Sequence, residues 1–314
     1  MAGIGIITNP HSKLNKQYPH RQLLLTYIAG EQGKVAVTND LDELYKVAQE
    51  FSRKNIKILA INGGDGTISR TLTAFIHVYK ENPLPHIVLL RGGTMNMLAD
   101  NLQIQGTPEH LLFRLIEAHS TGFFKETIHV PTLKIGDQYG FLFANGTSAR
   151  YLAEFYQNKT GAWGALALIG RLCLSYLLQS AFFFRIVQQD PTTLQIDAQP
   201  PLSHGSASVF CSTVKQLPMK IPFFQKLEAN PDRFECISIQ LPPNEVAKKL
   251  ASMLWFCLRN QQNPHSYWVD FCCKRLAIST STASPYTLDG ELFMANSDGL
   301  SIELGPTIAF LIPA

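Results

Sequence analysis

Residues 56–67 read IKILAINGGDGT, an apolar run that leads into three glycines within four positions. The run Ile56–Ile61 is rich in β-branched residues and predicts a buried strand, while the apolar spacing of Ile68–Tyr79 predicts a helix. Glycines at such a junction let the backbone turn tightly and approach a ligand closely. Their N–H groups and the helix N-terminus together favour an anion. The stretch therefore predicts a phosphate-binding loop between a strand and a helix.

Asp65 within this loop needs a separate explanation, because a carboxylate repels a phosphate. Its position makes sense if Mg²⁺ or the proton of a substrate hydroxyl lies between the two groups. The alternative is a tight β-turn in which Asp65 only caps the helix. A second loop, RGGTMN at residues 91–96, favours the phosphate site, since two neighbouring glycine turns would form one cleft. Arg91 in that loop would neutralise phosphate charge, unless it is an ordinary surface arginine.

Strand and helix patterns alternate outward from these loops through the first third of the chain. The predicted strands are Gly3–Thr8, Lys34–Thr38, Ile56–Ile61 and His86–Leu90. The predicted helices are Gln22–Gly30, Leu41–Lys54, Ile68–Tyr79, Thr94–Leu102 and Pro108–His119. This alternation predicts a doubly wound α/β fold with an open, mostly parallel sheet, whose ligands bind beyond the carboxyl ends of the strands.

After Lys125 the pattern changes to short strands separated by turns. The predicted strands are Thr127–Ile135, Tyr139–Ala144, Thr193–Asp197, Ala207–Val214, Glu235–Leu241 and Trp268–Thr280. Two helical patterns, 162–180 and 244–259, interrupt them. We therefore predict an α/β nucleotide domain at 1–125 and an antiparallel β-sandwich domain at 126–304. A last strand near Thr307–Ile312 should return to the first domain, which would then also include about 305–314.

Composition and charge narrow the function classes. With 46% hydrophobic and 16% charged residues, the chain is typical of a globular protein. Its net charge of +3 is spread without a basic stripe, so nucleic acid is not an expected partner. Six cysteines without zinc spacing, and a strand-like first segment, favour the cytoplasm. A central Arg171 in the apolar stretch 163–186 would cost about 2.5–3.5 kcal/mol in a bilayer, so we expect a core or membrane-surface helix there.

Several motifs together resemble the diacylglycerol kinase catalytic family, which includes sphingosine, ceramide and bacterial lipid kinases. They are GGDGT at 63–67, a G-T-x-N segment within GGTMNMLADNL at 92–102, NPHS at 9–12, Thr38, Gly164–Tyr176 and DGE at 289–291. GGDGT alone is shared with NAD kinases and phosphofructokinases, and the combination is more specific. The resemblance implies an ATP-dependent kinase that acts on a lipid hydroxyl, with ATP and Mg²⁺ as cofactors.

The resemblance also implies roles for individual residues. Asp65 would orient the phosphates and the metal, and Glu291 would accept the proton of the lipid hydroxyl as general base. Nearby negative charge raises a carboxylate pKa toward a useful value, which agrees with this role. By itself, Asp289-Gly290 reads as a β-hairpin turn. The residues implied to surround ATP are Asn9, Thr38, Gly63, Gly64, Asp65, Gly66, Thr67, Gly93, Thr94 and Asn96.

Departures from the family pattern keep two rivals open. Met97 stands where many members have an acidic residue, His129 where many have aspartate, Lys13 where glycine is common, and no Gly-x-Asp-Ala pattern lies near 148–153. The rivals are a catalytically silent lipid-binding protein and an NAD-kinase-like enzyme, although no Asn-Glu or Asn-Asp pair is seen in the second domain. His129 would replace a metal ligand or, on the simpler interpretation, be satisfied by a neighbour in its strand.

The expected partner is a lipid substrate at a membrane surface, and a homodimer is left open. The protein would then be cytoplasmic and peripherally membrane-associated. Candidate membrane or acyl-chain contacts are the Trp163–Phe184 stretch and the Met219–Phe224 loop, each of which would equally suit an ordinary core.

Overall fold

Strand β1 (Ile4–Thr8) is buried along its whole length and lies between two parallel neighbours, β2 (Gly33–Val37) and β3 (Ile58–Asn62). Strand β4 (His86–Leu89) pairs with β3, also in parallel. The computed structural model describes residues 3–157, 180–242, 267–280, 283–295 and 299–313, together with 171, 174–176, 178, 245, 249 and 259. The predicted parallel sheet is thus confirmed, with the order β2-β1-β3-β4.

Helices connect these strands, and two of them begin at a residue whose side chain caps the helix. They are α1 (Lys13–Gln17), α2 (Arg21–Ala29), α3 (Leu41–Arg53), α4 (Asp65–Tyr79), α5 (Met97–Asn101) and α6 (Pro108–Thr121). Asp40 accepts a hydrogen bond from the Glu43 N–H at 2.8 Å, and Thr107 accepts one from the His110 N–H at 3.3 Å. Both residues are therefore N-caps. Helix α5 is shorter than the predicted Thr94–Leu102, because Asn96 adopts a left-handed conformation.

The long strand β18 (Leu300–Pro313) links the two halves of the molecule. Its Phe310 pairs in parallel with Ile87 of β4, so the predicted return of a late strand to the first sheet is confirmed. The same strand pairs antiparallel with β5 (Phe124–Ile135) and, near its start, with β15 (Arg275–Thr280). A register shift falls between Leu304 and Thr307. One sheet therefore changes from parallel to antiparallel across β18.

The remaining strands complete this sheet and build a second, antiparallel one. They are β6 (Gln138–Gly140), β7 (Leu142–Asn145), β8 (Asp190–Ile196), β9 (Leu202–Ser206), β10 (Ser208–Ser212), β11 (Gln216–Leu217), β12 (Ile221–Pro222), β13 (Phe234–Ile239), β14 (Trp268–Cys273), β16 (Pro285–Leu288) and β17 (Glu291–Met294). A 3₁₀ turn, Pro218–Lys220, and two helices, α7 (Thr147–Gln157) and α8 (Ala181–Val187), lie among them. The first sheet continues as β18-β15-β8-β9, and the second has the order β14-β13-β10-β7-β16-β17.

A shared core shows that these two sheets form a sandwich. Its buried residues include Leu194 and Leu276 from the first sheet and Phe143, Val209 and Phe234 from the second. Burying such side chains is worth about 1.5–3 kcal/mol each. The expected class, a parallel α/β sheet followed by an antiparallel sandwich, is confirmed.

Local differences from the prediction have physical causes. The run Trp268–Thr280 is two strands, because the chain passes at Lys274 from the second sheet, where it pairs with β13, to the first, where it pairs with β8. Helix α1 has only five residues, too few to show a periodic pattern. Most of the predicted helices 162–180 and 244–259, and much of the Trp163–Phe184 stretch, lie outside the described residues.

The division into domains at 125 and 304 stays a prediction. Both positions fall inside strands, β5 and β18, that run from one half to the other. Among the helices of the described residues, none has both the length and the apolar character that crossing a membrane requires.

Candidate active site

An open cleft of about 250 Å³ lies where the two halves of the molecule meet. Its walls are the two glycine loops, the turn between β16 and β17, helix α7 and the turn after β11. The lining residues are Gly64, Asp65, Gly66, Thr94, Met95, Met97, Leu142, Tyr156, Pro218, Asp289, Gly290 and Glu291. Predicted site residues from opposite ends of the chain therefore share one cleft.

The two glycine loops touch each other through their backbones. A Cβ on Gly93 would lie 2.3 Å from the Gly64 Cα, and a Cβ on Gly63 would lie 2.4 Å from the Thr67 side chain. None of Gly63, Gly64, Gly66 or Gly93 has a positive φ. Close approach, rather than a left-handed backbone, therefore explains the glycines at Gly63, Gly66 and Gly93. The two glycine loops are therefore in contact, as the sequence predicts.

Asn96 stabilises the conformation of the second glycine loop. It has a φ of 47° and is 6% exposed. Its side chain accepts a hydrogen bond from the Gly93 N–H at 3.1 Å and donates one to the Gly93 carbonyl at 2.8 Å. Thr94 on the same loop is exposed and lines the cleft. Asn96 therefore shapes the loop, while Thr94 is open to a ligand.

Asp65 joins the two loops electrostatically. Its carboxylate accepts hydrogen bonds from the backbone N–H groups of Met97 and Leu98, both at 3.0 Å. Burial raises its pKa, and these two N–H groups oppose that shift. The carboxylate thus fixes the first turn of α5 against the first glycine loop.

Asp289 is a second buried carboxyl group beside Asp65, and the sequence did not single it out as a site residue. It accepts hydrogen bonds from the N–H groups of Phe141, at 3.1 Å, and Leu142, at 2.9 Å. Burial, and then the charge of Asp65, raise its pKa to about 7. Asp289 and Gly290 also form the predicted hairpin turn, with φ values of 49° and 82°. The signal available in the sequence was an aspartate in a turn directly before Glu291.

Glu291 begins β17 and lies against the first glycine loop. A Cβ on Gly66 would come within 2.3 Å of Glu291 Oε1, so Gly66 leaves the space that this carboxylate occupies. Glu291 Oε2 accepts a hydrogen bond from Arg70 at 2.5 Å. The hairpin turn thus places Glu291 in the cleft that Asp65 also lines.

A smaller pocket of about 40 Å³ lies beside Thr67, at the end of the first loop. Asn9, Thr38, Thr67 and Arg70 are among its lining residues, and Asn9 donates a hydrogen bond to the Thr67 hydroxyl at 2.9 Å. Arg70 is the second residue that sequence reasoning missed. Its available signal was a basic side chain early in the helix that follows the glycine loop.

Two other residues considered from the sequence lie elsewhere. Arg91 forms an ion pair with Asp100 at 2.7 Å and donates to the Ile104 carbonyl at 2.6 Å, so it stabilises the second loop and does not line the cleft. His129 is exposed on β5, opposite Ala309 of β18, and is likewise not a lining residue.

A magnesium ion fits this site only as part of a nucleotide complex. The described residues contain no group of three or more histidine, cysteine or acidic side chains placed to hold a metal. Both Asp65 oxygens already accept a backbone hydrogen bond. Mg²⁺ is commonly held by one or two carboxylates together with substrate phosphates. Asp65 suits that arrangement, whereas a protein-only cage is not present in the described part of the chain.

Solved structures of other proteins share the overall fold of this chain. A diacylglycerol kinase from Bacillus anthracis strain Sterne is 13% identical, with a TM-score of 0.66, and the match covers 98% of this chain and 96% of that one. A second structure from the same strain, provisionally assigned as a diacylglycerol kinase, is 16% identical, with a TM-score of 0.69 and the same coverage. None of the curated proteins matches the chain.

At these identities the two structures show a shared fold. The sequence itself matches a family over residues 4–124, which run from β1 to the start of β5 and contain both glycine loops. The resemblance indicated by the motifs is thereby confirmed: residues 4–124 match the model of the diacylglycerol kinase catalytic domain.

Proposed function

We propose that this protein is an ATP-dependent lipid kinase that phosphorylates a hydroxyl group of diacylglycerol or a related lipid. The observation that carries the proposal is the Glu291 carboxylate, which lies against Gly66 and shares an open cleft with Asp65. A potential base therefore lies beside a potential phosphate loop, and both line a space that a substrate can enter.

The proposed reaction assigns a role to each wall of the cleft. ATP lies along the first glycine loop, with Asn9, Thr38 and Thr67 on one side and the γ-phosphate toward Glu291. The lipid hydroxyl oxygen attacks the γ-phosphorus, the bond to the β–γ bridging oxygen breaks, and ADP leaves. Glu291 accepts the hydroxyl proton. Mg²⁺ bound with ATP would neutralise phosphate charge. Such transfer depends mainly on positioning and electrostatics.

Arg70 couples the base to the nucleotide in this proposal. It pairs with Glu291 and also lines the pocket beside Asn9. A guanidinium between a carboxylate and a phosphate can bind both, because it presents several donors in a fixed plane. Arg70 would hold Glu291 in place before ATP arrives and would then also contact the phosphates.

A catalytically silent lipid-binding protein is the second candidate, and a specific observation favours it. Met97, at the position that is acidic in many family members, is 2% exposed and packs in the core. Its side chain offers no oxygen to a metal. A kinase with this cleft would rely on Asp65 and Asp289 for negative charge near Mg²⁺.

Phosphorylation of a total lipid extract with γ-labelled ATP tests the proposal. Glu291→Gln should lower transfer about 10²–10⁴-fold, the usual contribution of a positioned base, with ATP affinity little changed. Glu303→Gln is a matched control, because Glu303 also lies on a strand and pairs with an arginine, Arg275, at 3.2 Å. Asp65→Ala is a less specific test, since it also releases α5. An inert wild type would favour the silent protein, and activity with NAD alone would favour the NAD-kinase-like rival.

A further inference from the structure

The turn after β11 presents an apolar side chain at the mouth of the cleft. Strands β11 and β12 form a small hairpin, here called the rim hairpin, whose turn is Pro218–Lys220. Pro218 lines the cleft, and Met219 beside it is 77% exposed. Met95, in the second glycine loop, lines the same cleft and is 54% exposed. One flexible apolar side chain, Met95, therefore lines the cleft, and a second, Met219, is exposed directly after the lining residue Pro218.

The backbone of the rim hairpin does not explain why methionine is at its tip. Met219 and Lys220 have φ values of 65° and 59°. Glycine, asparagine and aspartate are the residues that suit successive left-handed positions in a tight turn. A methionine here is unfavourable for the backbone and is exposed to water. The preference of the backbone therefore does not account for a methionine at this position.

The rim hairpin is held firmly at its base. Asn101 of α5 donates a hydrogen bond to the Gln216 carbonyl at 3.0 Å and accepts one from the Gln216 N–H at 2.9 Å. On the other side, Phe223 and Phe224 are buried in the core, and their N–H groups donate to the Lys215 carbonyl. Of the predicted Met219–Phe224 contact segment, the phenylalanines are thus core and only the tip projects.

The tip of the rim hairpin also carries a positive charge. Lys220 is exposed and forms no ion pair with the described residues, and Lys215 at the base pairs with Glu228. An unpaired lysine beside an exposed apolar side chain suits the headgroup region of an anionic bilayer, where the ammonium meets lipid phosphates. Methionine is flexible enough to adapt to that irregular environment.

We propose that Met219 and Lys220 of the rim hairpin, together with Met95, insert into the headgroup layer of an anionic lipid bilayer and hold the cleft mouth against it. The choice of a bilayer rests on the proposed function, because a lipid acceptor must pass from a membrane into this cleft. The rigid base of the hairpin keeps the entrance at a fixed depth. A lipid headgroup would then reach Glu291 without its acyl chains crossing water.

Flotation with vesicles of phosphatidylcholine and phosphatidylglycerol, without ATP, tests the proposal independently of any kinase activity. Met219→Asn suits the left-handed backbone and removes the apolar side chain, so it should fold at least as stably as the wild type yet bind vesicles about five- to tenfold more weakly. Lys220→Gln should reduce binding about fivefold on these vesicles and have little effect on pure phosphatidylcholine. Thermal unfolding of each variant verifies the fold.

Matched controls use exposed residues elsewhere. Leu23→Asn removes an apolar side chain of similar exposure, 70%, from α2, and Lys80→Gln removes an exposed lysine that is also left-handed, with a φ of 52°. Both should bind vesicles like the wild type. The proposal would be overturned if Met219→Asn bound vesicles as strongly as the wild type. It would also be overturned if Leu23→Asn lost as much vesicle binding as Met219→Asn. An inactive enzyme whose vesicle binding still depends on Met219 would refute the kinase but not the membrane contact.

Discussion

Replacing Asp289 with asparagine should change how the stability of this protein depends on pH. The carboxyl group is buried between the Phe141 and Leu142 N–H groups, and its pKa is raised to about 7 from an ordinary value of 3.8. The folded protein therefore binds this proton more tightly than the unfolded chain does. Stability is greatest below the unfolded pKa and decreases as the pH rises toward 7, since ionisation is then easier in the unfolded chain.

The size of the effect follows from the shift. Each pH unit between the two pKa values changes the free energy of unfolding by about 1.4 kcal/mol, and the change levels off above the folded pKa. Between pH 5 and pH 8 the contribution of Asp289 should fall by about 2–3 kcal/mol. Asparagine keeps a carbonyl for one of the backbone donors and has no charge to bury. The free energy of unfolding of Asp289→Asn, taken relative to that of the wild type, should therefore rise by about 2–3 kcal/mol between pH 5 and pH 8.

Urea unfolding at pH 5, 6, 7 and 8 measures this difference. Asp197→Asn is a matched control, because Asp197 is also left-handed, with a φ of 49°, and accepts N–H groups from Lys274 and Arg275, both at 2.9 Å. It is partly exposed and pairs with Arg233, so no buried charge is removed. A difference between Asp289→Asn and the wild type that is equal at all four pH values would refute the reasoning.

Three further predictions concern the loops and the base. Gly93→Ala should destabilise the protein by about 2–4 kcal/mol in urea unfolding, because its Cβ meets the Gly64 Cα at 2.3 Å, whereas Gly64→Ala, with a 3.4 Å contact, should cost less than about 1 kcal/mol. Asn96→Ala removes two hydrogen bonds and should cost about 1–3 kcal/mol by the same assay. Arg70→Gln should weaken ATP binding about three- to tenfold in calorimetric titration, since a charge-assisted contact is lost. The glycine prediction would be contradicted if Gly93→Ala and Gly64→Ala lowered the free energy of unfolding equally. The other two would be contradicted by an unchanged free energy of unfolding in Asn96→Ala and by an unchanged ATP affinity in Arg70→Gln.

Much of the fold was predictable because local patterns determine it. The strands from β1 to β4, and α2, α3 and α4 between them, follow from the periodicity of the sequence. The division of Trp268–Thr280 between two sheets was not predictable in this way, since it depends on pairing partners far along the chain. The length of β18 and its position between the parallel and antiparallel halves depend on the same kind of distant pairing.

The parts of the candidate site that contain glycine motifs were predictable. The contacts between charged residues far apart in the sequence were not. The loops at Gly64 and Gly93 were recognisable, and Glu291 stood out only through the family resemblance. Arg70 and Glu291 are 221 positions apart, and no local signal connects them. Asp289 likewise gains its raised pKa from burial and from Asp65, neither of which a turn sequence reveals.

The position of β18 limits how this molecule can be divided. Residues 4–124 match the family model, yet the outer edge of β4 is covered only when Phe310 lies beside Ile87. A fragment ending at 124 would present that edge unpaired, together with Leu89 and other core side chains, and would be prone to aggregate. The segment that matches the family model and the segment that folds as a unit are therefore different in this protein.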